Sequence, residues 1–591
     1  MKGPPAPPPR HATASAALEA AAAHPSGVTF VDFREREVRI AWSEVASRAR
    51  RAAAALADAG VRPGDRVAVV LRTEPMFLDA FFGAMAAGAV PVPLYPPVRL
   101  GRLAEWIAAT ARMIGASGAR LVVSGGASRR LLGEVVARAR PELGWLAAED
   151  LVRGREGPTL EHARGCVPDD LALVQFSSGS TVDPRPVALT HRALGAQVAS
   201  LTALVQPTSA DALVSWLPLY HDMGLIGCLL GAASYPGPLV LVPPEHFLAR
   251  PALWLRAISR HRGTISAAPS FAFAYCADRI RDEELEGCDL TSWRVALDGA
   301  EPVSAAALRR FAGRFARHGL DPRALMPVYG LSEAALAVTF SPSRSPVRTA
   351  RVDPRRLAED GAVAPGGREV ASVGVPVPGV EVEIRGRDGT ELPEGWLGRI
   401  FVRSPSLMRE YLGQPEATAE ALEGGWLDTG DLGFALGGEL YVHGRAKDAL
   451  VIRGANRAPE EFEACLDGIQ GLRPGCAVAI GRTGDDGEEG LVLLAERVRS
   501  ADPARDAAVA EAARRAVTER TGVAPGEVRL LAPGTLPRTS SGKLRRGEAR
   551  RRLAAGTLSP PRAVTALGLA VRAARSALAL ARVRRAGGSG G

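Results

Sequence analysis

Residues 175–191 read QFSSGSTVDPRPVALTH, and the fold is read outward from them. Residues 171–176, LALVQF, form an apolar run of strand length, and 187–189 restore apolar character ahead of His191 and an Ala/Leu-rich helical pattern. Between the two runs lie Ser177, Ser178, Gly179, Ser180 and Thr181. Small side chains let backbone N–H groups turn inward on an anion, while hydroxyls add donors and reach a metal-bound phosphate. The chemistry is that of a phosphate loop, although the Gly-Lys-Ser/Thr ending of a Walker loop is missing. An ordinary connecting loop has the same composition, so the rest of the chain has to decide between them.

Around that loop, helix and strand patterns alternate. Residues 43–59 form an Ala/Arg amphipathic helix closed by Gly60, 66–71 a strand, 75–87 a helix and 89–94 a strand. Further strands are expected at 120–123, 212–217, 238–242, 264–268 and 294–297. This alternation predicts the α/β class, with parallel strands, right-handed crossovers and Ala-rich covering helices. Over 340–367 the pattern lapses into a Pro-, Arg- and Gly-rich segment, read as an insertion or functional loop with no core element. Short strands at 380–384, 398–402 and 439–443 predict a small β subdomain. Past Gly444, helices at 459–466 and 507–520 and strands at 476–480, 491–496 and 528–531 predict a compact α+β unit. The domain reading is a leader and lead-in segment at 1–40, a large N-terminal domain of α/β subdomains with the β subdomain at 41–444, a smaller α+β C-terminal domain at 445–555, and a basic amphipathic tail at 556–591.

Length and composition agree with several folding units: 591 residues exceed one core and suggest about three or four. Hydrophobic content of 47% with 23% charge is that of a soluble globular chain. The six cysteines are scattered without a CxxC pair, which reads as core residues in a reducing, cytoplasmic compartment. The net charge of +9 is local: from Leu536 onward thirteen Arg and Lys face one acid, Glu548, leaving −3 for everything before. A nucleic-acid-binding body is therefore not expected. The start, MKGPPAPPPRHATAS, has no apolar core after its charges and reads as a loose leader. No apolar run is long enough to cross a bilayer. The tail segment 563–585 sets Leu567, Val571, Ala574 and Leu578 on one side and Arg572, Arg575 and Arg582 nearer the other. Peripheral membrane contact and a solvated or protein-docked helix are both open for it.

Downstream of the loop stand Tyr329-Gly330-Leu331-Ser332-Glu333, Trp426-Leu427-Asp428-Thr429-Gly430-Asp431, Gly444-Arg445-Ala446-Lys447-Asp448 and Leu536-Pro537-Arg538-Thr539-Ser540-Ser541-Gly542-Lys543. Any one of them reads equally as a turn, a cap or a solvated ion pair. Together, in this order, the sequence resembles the adenylate-forming, acyl-activating (AMP-binding) superfamily from about residue 41 to 546. Gly88 to Pro97 (GAVPVPLYPP), Ser215 to Gly227 (SWLPLYHDMGLIG) and Asp298-Gly299-Ala300-Glu301-Pro302-Val303 bring it nearest to fatty acyl-AMP ligases and fatty acyl-CoA ligases.

The resemblance implies activation of a fatty acid by ATP to an acyl-adenylate with loss of pyrophosphate, then capture by a thiol. It implies that Ser177, Ser178, Gly179, Ser180 and Thr181 hold the departing phosphates, with Arg185 beside them, and that Thr181 and Glu333 position Mg²⁺, a hard ion suited to oxygen ligands. Lys543 would bridge the carboxylate and the α-phosphate. Asp431 would accept from the ribose with Arg445 in support, and Gly299, Ala300, Glu301, Tyr329 and Gly330 would line the adenine slot. Lys447 matches the hinge about which relatives rotate a mobile C-terminal domain. His221 is read as orienting the carboxylate or lining the acyl pocket, the latter favoured because no partner is visible in the sequence. The loop departs from its relatives at Val182, Arg185 and Pro186, where Gly and Lys-Gly are usual. Arg keeps the charge as a planar fork in place of a compact ammonium.

Two acceptors stand open. The 340–367 segment favours a fatty acyl-AMP ligase that loads the phosphopantetheine of an acyl carrier protein, and a fatty acyl-CoA ligase using free CoA is the alternative. A peptide-synthetase adenylation module would need Asp222 to hold a substrate amine. A non-catalytic member of the fold would have lost the metal and lysine positions, which are present.

Overall fold

The structure, a computed structural model of the chain, describes all residues except 98–99, 155–165, 178–183, 453–454, 484–488, 500–501, 540–541, 562–573, 577–578 and 580–591. Its largest sheet has nine strands. Ile265–Ala268, Val295–Asp298 and Leu325–Gly330 run parallel at its centre, and Glu37–Ala41 closes one edge antiparallel to Gly27–Val31. A second sheet of four parallel strands sets Arg66–Val70 between Val90–Leu94 and Ala119–Ser124, with Gly144–Ala147 beyond. The central strands are apolar on both faces because helices cover both faces. Trp42–Asp58 and Pro75–Ala86 are two such helices, and Gly83 is what lets them meet: a Cβ there would stand 2.4 Å from the Ala52 Cβ.

Beneath the large sheet an aromatic cluster fills the core. The Trp254 indole lies within 6.4 Å, centroid to centroid, of Trp216, Phe247, Phe273, Trp293 and Phe311, and its Nε1–H donates to Ser266 Oγ at 2.9 Å. The buried polar end of the tryptophan is thus satisfied, and the rings meet largely edge to face.

The two strands that flank residues 177–185 run antiparallel to each other. Leu171–Phe176 pairs with Pro186–Thr190, Gln175 opposite Val187 and Phe176 opposite Pro186. The helix His191–Val205 follows, capped by Thr190 Oγ1, which accepts from Ala193 N–H at 3.1 Å. The strands Glu381–Arg385, Gly398–Arg403, Trp426–Leu436 and Glu439–Arg445 form the antiparallel β unit. Beyond it a smaller α+β region carries Leu472–Thr483, Glu489–Arg497 and Glu527–Leu531 in one sheet, packed on Asp506–Thr521.

Two sequence expectations change. The leader is not loose. Its N-terminal ammonium donates to Val382 O at 2.6 Å, Lys2 pairs with Glu381 at 3.1 Å, and residues Ala14–Ala22 form a helix capped by Thr13. The apolar signal was there in Ala17, Leu18 and Ala21, all buried, behind a proline run that hid it. The 340–367 segment is not without core elements either. Thr349–Val352 pairs with Arg368–Ala371 around the short helix Pro354–Glu359, and Val352 and Leu357 pack on Phe434 and Tyr441. Of the tail reading at 563–585, all but Ala574–Ser576 and Ala579 lies outside the described residues. Ser576 is buried, its Oγ accepting from Gly133 N–H at 2.6 Å. No helix among the described residues is long and apolar enough to cross a membrane.

The leader helix also buries a titratable group. His191 is 5% exposed, and Ala14 N–H donates to its Nδ1 at 3.4 Å. Burial pushes the imidazole from 6.5 down to about 4, only partly opposed by Asp170. The unfolded chain therefore takes a proton that the folded one refuses. Stability is whole above about pH 6.5 and falls toward pH 4, by up to about 3 kcal/mol. Chemical denaturation across this window should show the loss, and His191→Gln should flatten that part of the profile.

Candidate active site

Three loops from distant parts of the chain converge where the strand Leu325–Gly330 ends. Tyr329 is buried and its hydroxyl donates to Asp431 Oδ2 at 2.7 Å. Asp431 Oδ1 meets Arg445 Nε at 2.8 Å across the pair Trp426–Leu436 and Glu439–Arg445, in which the two residues stand opposite each other. Burial and the neighbouring Asp431 carboxylate push the Tyr329 phenol far up, so it stays a donor. Gly330 is required at this corner, because a Cβ would come within 1.7 Å of Leu336 O. Ala300, on the facing loop, holds φ +68°, a left-handed conformation that a non-glycine residue keeps only under the constraint of its surroundings.

Glu301 lies on that same loop, and Phe271 N–H donates to its Oε1 at 2.6 Å. Burial raises its carboxyl, partly offset by the Phe271 amide and the charge of Lys543. Asp298 is fully buried, raised by desolvation and then by Glu301, with Ser270 Oγ–H donating to Oδ2 at 3.0 Å. Glu333 accepts from the Tyr411 hydroxyl at 2.9 Å. Arg185, expected near phosphates, lies with its guanidinium 4.9 Å from the Tyr411 ring centroid and 3.9 Å from Glu420. Ser177 closes the hairpin: its N–H donates to Arg185 O at 2.9 Å and its Oγ accepts from Arg185 N–H at 3.1 Å. Ser178, Gly179, Ser180, Thr181 and Val182 lie outside the described residues.

His221 does have a partner, contrary to the sequence reading. Its Nδ1 stands 2.6 Å from Asp222 Oδ1, while the Ser332 hydroxyl donates to Oδ2 at 2.6 Å and Met223 N–H to Oδ1 at 2.8 Å. Burial alone would raise the Asp222 carboxyl. The charge and hydrogen bond of His221, the Ser332 hydroxyl and the Lys543 ammonium together hold it far below the usual carboxylate range. Both Asp222 oxygens are therefore engaged, which leaves it poorly suited to receive a substrate amine. His221 Nε2 is buried without a hydrogen-bond partner among the described residues. The sequence reading weighed Asp222 only as a holder of a substrate amine, and its pairing with His221 was hidden because consecutive residues rarely face each other in a regular element. Here the pair sits in the turn that opens the apolar π-helix Met223–Leu230.

Lys543 reaches the same place from the C-terminal region, on a turn in which Thr539 N–H donates to Lys543 O at 2.8 Å and Lys543 N–H to Thr539 Oγ1 at 3.0 Å. Desolvation lowers its ammonium, partly opposed by the Asp222 and Glu301 carboxylates. Lys447 lies in the short turn Ala446–Asp448 that joins the two regions. A cavity of about 880 Å³ runs from Lys543, Asp222 and Ser332 between the helix His191–Val205 and the π-helix, along Val198, Leu201, Met223 and Cys228. Ser177, His221, Ala300, Tyr329, Arg445 and Lys543 line both this cavity and the wide cleft between the two regions. An apolar channel thus ends at a ring of charge that also opens on a cleft.

A two-part chain in which a half-buried lysine and a ring of polar groups end an apolar channel has the layout of an acyl-activating enzyme. The family model for AMP-binding enzymes matches residues 18–412, and the chain belongs to that family. Among its relatives, a protein from Caulobacter vibrioides that carries the name of an acyl-CoA synthetase is 36% identical, with 92% of this chain and 96% of that protein aligned. The long-chain-fatty-acid–AMP ligase FadD32 of Mycolicibacterium smegmatis is 32% identical over 88% and 89% of the two chains. A solved structure from work on fatty acyl-adenylate ligases of E. coli and L. pneumophila superposes with a TM-score of 0.86 at 34% identity, covering 92% of this chain and 98% of that one. The protein is an ATP-dependent ligase that forms acyl-adenylates, closely related to fatty acyl-AMP and fatty acyl-CoA ligases.

Asp222→Asn removes the charge that orients His221 and faces Lys543 while keeping the shape. Pyrophosphate release should fall by roughly a hundredfold, the scale of a misplaced reacting group, with the thermal midpoint little changed.

Proposed function

We propose that the chain activates a free fatty acid and passes the acyl group to the phosphopantetheine thiol of a carrier protein. The observation that carries the first step is the Lys543 ammonium, desolvated beside Asp222 and Glu301 where the apolar cavity meets the polar ring. A carboxylate oxygen attacks the α-phosphorus of ATP, the bond to pyrophosphate breaks, and pyrophosphate leaves with the electron pair. Lys543 lies across the oxygens on which charge gathers, at little reorganisation cost because it is already held. Asp431 and Arg445 take the ribose, and Tyr329, Gly330, Gly299, Ala300 and Glu301 form the base slot. His221, oriented by Asp222, turns its Nε2 toward the acid carboxylate.

Glu333 and Thr181 are the residues that would hold Mg²⁺. Glu333 fits that task, since its Oε1 is taken by Tyr411 and its other oxygen has no hydrogen-bond partner among the described residues. When bound, the ion would supply positive charge to the phosphate oxygens. Ser177 to Thr181 cradle the departing phosphates in this reading, with Arg185 at their edge.

Support for a carrier protein over free CoA comes from the 349–371 elements, which meet the C-terminal region. The helix Pro354–Glu359 packs beside the strand Ala455–Arg457, and the Arg355 guanidinium lies 2.5 Å from where a Gly522 Cβ would be. Such contacts hold the C-terminal region in the adenylate-forming position, so that a docked carrier, with its larger contact surface, would displace it more readily than freely diffusing CoA. Names among the relatives favour both acceptors, so free CoA remains the second reading.

Incubation with ATP, Mg²⁺, a fatty acid and CoA should accumulate acyl-adenylate, and addition of a phosphopantetheinylated carrier should discharge it. Rapid formation of acyl-CoA would overturn the carrier reading. Lys543→Ala should lower adenylation by roughly a hundredfold to a thousandfold, the usual loss on removing an electrostatic stabiliser, and equal rates in the two proteins would remove this lysine from the mechanism.

A further inference from the structure

The first ten residues are built into a strap that the adenylation step does not call for. Besides the contacts of Met1 and Lys2 with the strand Glu381–Arg385, Gly3 N–H donates to Val380 O at 2.8 Å and Gly379 N–H to Pro4 O at 2.7 Å. The chain then crosses to the acyl cavity. Ala6 covers Gly379 and Pro9 covers Gly195, where Cβ atoms would stand 2.6 Å and 3.1 Å from them. Past these contacts the Arg10 guanidinium lies 5.1 Å from the centroid of the Tyr235 ring, and the helix Ala14–Ala22 anchors the other end.

Arg10, itself solvent-exposed, lines the 880 Å³ cavity beside Tyr235, which sets it at the far end of a helical run from Asp222 and Lys543. Asp222 caps the helical run Met223–Ser234 at its start and Tyr235 ends it. At the rise of a helix the two residues stand roughly 15–20 Å apart. The walls between are apolar, with Leu201, Val205, Leu213 and Met223, whereas the mouth carries Thr208, Ser209, His24 and Arg10. The mouth carboxylate, Asp211, is already taken: Arg294 Nε and Nη2 hold its two oxygens at 2.9 Å each, and Thr208 N–H donates to it at 2.7 Å. Among the described residues no carboxylate pairs with Arg10, so the mouth keeps a net positive charge on an element fixed at both ends.

We propose that Arg10 is a specificity residue, and that the cavity takes acids bearing a second, anionic group at the end remote from the activated carboxyl. This rests on the reading of the cavity as the acyl site. A guanidinium receives a terminal carboxylate through paired, charge-assisted hydrogen bonds, and the Tyr235 ring holds its plane in place. A plain alkyl end at the same mouth would meet charge and hydroxyls instead of apolar surface.

The test compares unsubstituted, ω-hydroxy and ω-carboxy acids of equal length, over a series of lengths, with wild type, Arg10→Ala and Arg10→Lys. Equilibrium binding by calorimetry and ATP-dependent pyrophosphate release are both read. Wild type should favour the ω-carboxy over the ω-hydroxy acid by about tenfold at the best length, the worth of one charge-assisted contact. Arg10→Ala should remove that ratio, and Arg10→Lys should restore part of it. A ratio near one in wild type, or the same ratio in wild type and Arg10→Ala, overturns the proposal. Should no acid release pyrophosphate, the proposed function fails, and the binding ratios alone then decide for or against the Arg10 site.

Discussion

A lysine ammonium largely withdrawn from water is the constraint on which this architecture turns. Lys543 comes from the C-terminal region, while Asp222, Glu301 and Asp431 face it from three separate elements of the N-terminal one. Each of these charges would be costly to bury alone. They are tolerable together, and only with the smaller region docked. Arg102 holds it in that position, donating to the carbonyls of Gly534, Thr535 and Ser559, and so does the pair of Arg552 with Glu105 at 2.7 Å. On the C-terminal side Arg546 gathers Glu460 and Glu463, which stabilises the turn beside the lysine. The site therefore exists as a property of the docked arrangement, and separation of the two regions would dissolve it.

The same logic orders the N-terminal site. Tyr329 restrains Asp431, Asp431 restrains Arg445, and Asp222 restrains His221. These are neighbour-to-neighbour bonds among buried polar groups, each satisfying another's hydrogen-bonding capacity. The apolar channel leads away from them between two helices and ends at the strap, where polarity returns. Lys543 and Asp222 toward one end and Arg10 toward the other give the channel two chemically different ends.

Much of this was legible beforehand. The α/β class followed from alternating periodicities. Strand positions such as 66–71 and 294–297 lie within a residue or so of Arg66–Val70 and Val295–Asp298, because strands buried on both faces read as unbroken apolar runs. The residues Tyr329, Glu333, Asp431, Arg445 and Lys543 were picked out by motif and order, and they do converge. Three features were hidden for physical reasons. The leader helix is short and Ala-rich, and its burial depends on surfaces supplied by distant helices. The 349–371 elements bury only a few side chains against Phe434 and Tyr441, so their periodicity is faint. The His221–Asp222 pair needs a turn geometry that no spacing rule announces.

The sequence by itself determined the chemistry available: which residues carry charge, which small residues allow close approach, and where apolar period switches between two and 3.6. Those are local properties, written in side-chain type and neighbour spacing. Tertiary structure alone decided which charges share one desolvated pocket, that Arg185 stacks on Tyr411, and that a proline-rich start becomes a strap over the channel mouth. The reason is that burial, and with it the strength of every electrostatic contact, is a property of residues far apart in the chain meeting in one volume.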